Sequence, residues 1–138
     1  ANRLSMLLAV LEARCGVRLG PFDVYLNVAG GLRISEPAAD VAVAAALLSA
    51  HSGIALGPES VYFGEASLSG AIRPVSHAAM RLREAHKLGF TAAAAPAVGE
   101  GLDATPGIKV TALRHLSDLA ARFADNGSAR RERTAGEY

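Results

Sequence analysis

Leu4, Leu7, Leu8 and Leu11 recur at helical spacing, and the pattern stops at Gly16 with Arg14 in the last turn, which predicts an amphipathic first helix. Val24, Leu26 and Val28 then alternate with Asp23, Tyr25 and Asn27 and end at Gly30 and Gly31, as a strand with one buried face does. Ser35, Glu36 and Pro37 supply a cap candidate and an early proline for a second helix that continues through Ala50. Residues Ala38 to Ala50 are nearly all small or aliphatic. Such a helix is expected to be covered on several sides, by a sheet and by a neighbouring subunit.

Val61, Tyr62 and Phe63 begin a second predicted strand that reaches Leu68, and Ser69 and Gly70 turn it into Ala71, Ile72 and Arg73 as a hairpin. A third helix is expected from Ser76 to Leu88, with Ala78, Leu82 and Ala85 inward and Gly89 as its stop. Thr91 to Ala95 and Ile108 to Ala112 are strand candidates, and Leu116, Leu119, Ala120 and Phe123 mark a last helix. Beyond Asp125 periodicity is lost and polarity rises, so residues 126–138 are expected to be a disordered basic tail. Alternating helices and strands imply one α/β (α+β) domain over residues 1–125, with helices on a mixed sheet.

Composition changes this picture little. The 138 residues suffice for one core, and 14 basic against 13 acidic residues impose no bulk demand for nucleic acid or a membrane. Without the tail residues Arg130, Arg131, Glu132, Arg133 and Glu137, the two signs balance. A single cysteine, Cys15, excludes an internal disulfide and points to a reducing, cytoplasmic setting. The most apolar stretch, Val41 to Ala50, is about half of what a bilayer span needs, so no membrane partner is expected.

Familiar catalytic patterns are missing. Gly20, Gly30 and Gly31 fit neither a dinucleotide fingerprint nor a phosphate loop and are read as turn residues. Ser35, Ser67, Ser69 and Ser76 lie outside any nucleophile elbow and suit caps or turns. His51, His77, His86 and His115 lack zinc spacing, so no metal site is expected. Cys15 has no feature that marks a reactive thiol, and the Arg130, Arg131, Arg133 cluster reads first as a solvated tail.

Three ordered blocks are more specific: VAGGLRISEPAADV from Val28 to Val41, then YFGEASLSGAIRPV and EAHKLGF. They resemble the carboxy-terminal domain of the bacterial RadA (Sms) family of recombination and repair ATPases, over Asn2 to about Phe123. The resemblance implies a fold like the Lon proteolytic domain, of the ribosomal-protein-S5 domain-2 type. It also implies a bacterial source and a high-order assembly, a homo-hexamer. ATP, magnesium and zinc would belong to upstream ATPase and zinc-ribbon domains, so no cofactor is expected in this fragment.

Lon-type proteases pair a serine in a Pro-Ser-Ala-Gly segment with a lysine on a later helix. Here the matching segment reads Pro37, Ala38, Ala39, Asp40, and the lysine position falls on Arg81. A methyl group and a permanently charged guanidinium cannot make a serine–lysine dyad. The resemblance therefore implies a non-proteolytic domain that supports a ring and meets DNA, single-stranded or branched, during processing or branch migration of recombination intermediates, with the recombinase RecA as a further partner. Arg73, Arg81, Arg83, Lys87 and Arg33 are the expected DNA contacts. Arg83 and Lys87 lie one turn apart on the outer face of the third helix, while an ion pair with Glu84 is the plainer reading of Arg81. A pure oligomerisation scaffold and a peptidase built on Ser35 are the alternatives.

Overall fold

The computed structural model describes residues 2–19, 36–97 and 106–124. The predicted strand at Val24–Val28, the loop glycines Gly20, Gly30 and Gly31, Ser35, Arg33 and the tail from 126 lie outside the described residues.

Helix α1 spans Asn2–Cys15. It ends as its glycine foretells: Gly16 takes φ 68°, and the Val17 amide donates to the Leu11 carbonyl at 3.0 Å, closing a left-handed cap. Helix α2, Asp40–Ser52, is preceded by one 3-10 turn, Pro37–Ala39. Glu36 caps this turn: its carboxylate accepts from the Ala38 amide at 3.1 Å. Around α2, Asp40, Val41, Val43, Ala44, Ala45, Leu47 and Leu48 are all buried, as its apolar circumference requires.

The expected single strand from Val61 to Leu68 breaks in two. Ser60–Tyr62 is β1, and Glu65–Ala66 is β2 in a different sheet. The break falls at Gly64, whose φ is 147°. A Cβ there would lie 2.8 Å from Val41 Cγ2, so only glycine lets the chain pass this close to α2 while changing direction. The hairpin itself is as expected: β2 pairs antiparallel with β3, Ile72–Arg73, in register Glu65↔Arg73 and Ala66↔Ile72.

Helix α3, Ala78–Lys87, buries Ala78, Leu82 and Ala85, the predicted stripe. Strands β4, Ala92–Pro96, and β5, Lys109–Leu113, follow within about a residue of their predicted positions. The sheet order is β1-β4-β5 and both pairings are parallel. Parallel neighbours need crossovers, and α3 supplies the one between β1 and β4. A last helix, α4, covers residues 116–124 and buries Leu116, Leu119 and Phe123.

Strand alternation assigns the two faces of the sheet. Ala94 joins Leu7, Leu11, Val41, Leu48, Leu113 and Leu119 in a core under α1, α2 and α4. Ala93 and Ala95 face the other way, onto Phe63, Leu82, Ala85 and Ile108 beneath α3. The hairpin is tied to the start of α4: Ile72 N donates to Arg114 O and Leu116 N to Gly70 O, each at 2.8 Å. His115 adds a local clamp. Its Nδ1 accepts from the Ser117 amide at 3.0 Å, which makes Nε2 the donor to Ser69 O at 2.9 Å.

Candidate functional site

Two places on this scaffold hold the residues that the sequence singled out. The first is the amino end of α2. Ala38 is 2% exposed; its carbonyl accepts from Gly64 N at 2.8 Å, and Gly64 O in turn accepts from Val41 N at 3.1 Å. The methyl of Ala38 is thus sealed inside the contact between the 3-10 turn and the glycine break. Two residues on, Asp40 is 2% exposed as well. Arg3 of α1 grips it with both nitrogen donors of its fork, Nε to Oδ1 at 2.8 Å and a terminal nitrogen to Oδ2. Oδ2 also accepts from the Ala66 amide of β2 at 2.9 Å. Glu65 Oε1 lies 3.9 Å from the same guanidinium. The hydrogen bond to Asp40 is the main cause of a raised Arg3 pKa; Coulombic attraction to Asp40, Glu65 and Glu36 adds to it, while burial opposes it.

Sequence reasoning missed this pair. A lone carboxylate opening an apolar helix was the available signal, since a buried charge needs a partner. Its partner stands 37 residues away, and no local pattern names it.

The second place is the outer side of α3. A groove of about 590 Å³, open to solvent, lies between this helix and the sheet. Its floor is Val61, Phe63, Ala85 and Phe90, and its helical wall is His77, Met80, Arg81, Glu84 and Leu88. Met80 and Leu88 are 57% and 69% exposed. His77 begins the helix in the left-handed region, φ 62°, without a side-chain capping bond. Arg81 does not form the expected ion pair with Glu84. Its Nε donates instead to the Ser76 carbonyl at 3.0 Å, because the helix start turns that carbonyl toward the side chain.

Arg83 and Lys87 are both exposed and share one face of α3, as their spacing predicts; Arg73 is exposed on β3. Arg73 stands opposite Glu65 in the hairpin register, so a carboxylate is its neighbour. Ala38 and Arg81 occupy different surroundings: Ala38 does not line the groove that Arg81 lines. Burial pushes the Cys15 thiol pKa up, which disfavours the reactive thiolate. Among the described residues no group of three or more His, Cys, Asp or Glu is placed to hold a metal, and no helix is long and apolar enough to cross a membrane.

A scan against protein-family models finds no match. Individual relatives are close, however. The chain is 58% identical over 130 residues, 94% of its length, to the DNA repair protein RadA of Brucella abortus. The chain is homologous to the RadA family. To RadA of Synechocystis it is 48% identical over 109 residues, 79% of the chain, and to RadA of Streptococcus pyogenes 43% over 119 residues, 86% of the chain. It spans only 28%, 21% and 26% of those three RadA proteins, a carboxy-terminal portion. The expected RadA resemblance and the α/β class are both borne out.

Proposed function

We propose that this chain is a non-proteolytic, Lon-like domain of a RadA-type DNA repair and recombination ATPase, and that it serves as a hexameric scaffold and a sequence-independent DNA-binding module. The observation that carries the DNA reading is the pair Arg83 and Lys87: two exposed cations one turn apart, with no ion-pair partner among the described residues, on a body whose charges sum to zero. Repeated around a ring, that face becomes a continuous basic track. The RadA relatives, each named a DNA repair protein, support the same role.

The absence of peptidase chemistry rests on two positions. Ala38 carries no hydroxyl and is sealed from solvent, and position 81 carries a guanidinium in place of an amine, with its Nε donating to the Ser76 carbonyl. Lysine-activated serine chemistry needs a reachable hydroxyl beside a neutral amine. Neither is present.

The test is a titration of the purified chain with two unrelated DNA sequences at two salt concentrations, together with its mass in solution. The expected result is equal affinity for both sequences, a steep loss with salt, and a hexameric mass. A hexamer that binds no DNA would leave a scaffold alone.

A further inference from the structure

We infer that the groove beside α3 receives an unstacked nucleobase of single-stranded DNA, a site that rests on the DNA-binding reading above and gives it a strand preference. At about 100° per residue, the positions around α3 run in a fixed order. Next to the buried stripe comes Arg81, then Leu88, His77, Glu84 and Met80 along the groove wall, then Lys87 and Arg83 on the outer rim. The cations therefore border an apolar trough rather than lying in a separate patch. The half-buried Phe90 and Val61 give that trough an apolar floor, and the exposed Met80 and Leu88 give it walls.

This combination fits one ligand chemistry. A base has a π-face for the apolar floor, while its phosphates stay outside with the rim cations. The groove is widely open to solvent, so a polymer can place one residue in it and continue beyond it. Glu84 selects in the same sense: its carboxylate repels a phosphate from the interior but accepts a hydrogen bond from an exocyclic amine. Arg81 keeps its two terminal nitrogens without a protein partner among the described residues, which leaves them for the strand. Paired bases in a duplex cannot reach such a trough without leaving the stack.

The experiment measures binding of the 138-residue chain to three probes of equal length: a single strand, the same strand with abasic sites, and a duplex. The single strand should bind about fivefold or more tightly than its abasic copy. Two variants should erase that difference and leave duplex affinity unchanged: Phe90→Leu, which keeps an apolar side chain but removes the ring, and Met80→Ser with Leu88→Ser, which alters exposed residues only. Equal affinity of the unmodified chain for the normal and abasic strands would overturn the base site while sparing the basic-face reading. Loss of the oligomer mass in the serine variant, with DNA binding intact, would overturn it too, since the groove would then seat a second copy. Failure to bind any of the three probes would overturn both.

Discussion

At the amino end of α2 charge is enclosed and paired, whereas along α3 charge and apolar surface both face water. Asp40 is bound by Arg3 and by the Ala66 amide, and Gly64 locks the neighbouring backbone through Ala38 and Val41. On α3 the rim cations Arg83 and Lys87 have no ion-pair partner among the described residues, and Met80 and Leu88 lie exposed beside them. The first region holds α1, α2 and the hairpin in register around the buried Asp40 carboxylate. The second contributes little to the core beyond Ala78, Leu82 and Ala85 and keeps its functional groups available. The Pro37–Asp40 segment is thus a structural joint, with Ala38 and Asp40 both buried where α1, α2 and the hairpin meet.

The comparison breaks first, and most severely, at Gly64. Gly64→Ala should cost roughly 2–4 kcal/mol, because it places a Cβ against Val41 and forces alanine into a backbone region it avoids. A large drop in the urea midpoint checks it. Arg3→Met should cost about 2–3 kcal/mol by leaving the Asp40 carboxylate buried without its partner. That is less than a fully buried pair would lose, since about a third of Arg3 still meets water. Adding Asp40→Leu should recover part of this loss but not all, because the Ala66 amide then lacks its acceptor. A full recovery would mean that Asp40 contributes nothing beyond its charge pair.

Much of this frame is readable along the chain, and the exceptions share one cause. Helices α1 and α3 have their apolar stripes and glycine stops in sequence, and β4 and β5 stand out between turn residues. The β1–β2 break does not, because Gly64 lies inside a run of strand-forming residues and its need for glycine comes from Val41, Ile72 and Pro96. The Arg3–Asp40 pair is hidden for the same reason. Of the site residues, the exposed face of Arg83 and Lys87 follows from helical spacing alone, but the groove depends on Val61 arriving from β1 and Phe90 from the connection between α3 and β4. Arg81 was misjudged through its i+3 neighbour Glu84, when a backbone carbonyl at the helix start was nearer to hand.

Smaller effects sharpen the contrast. The Cys15 thiol, at the end of α1 and half-buried, should be alkylated several-fold more slowly near pH 8 than a free thiol, because burial raises its pKa. The sign for stability follows. The folded form holds the thiol proton more tightly than the unfolded chain, so this contribution is present below the unfolded thiol pKa and is lost as pH rises through the folded one. A Cys15→Ser variant should show less of that alkaline decline in its urea midpoint.

The most direct test reverses the rim charges: Arg83→Glu together with Lys87→Glu, measured for duplex DNA affinity across a salt series. Both side chains are exposed, so far-ultraviolet circular dichroism and solution mass should not change. Affinity should fall at least about tenfold at low salt, and the slope of log K against log salt should flatten by about 0.9 for each phosphate contact removed. Unchanged affinity and an unchanged slope would contradict the account and move the DNA contact off α3.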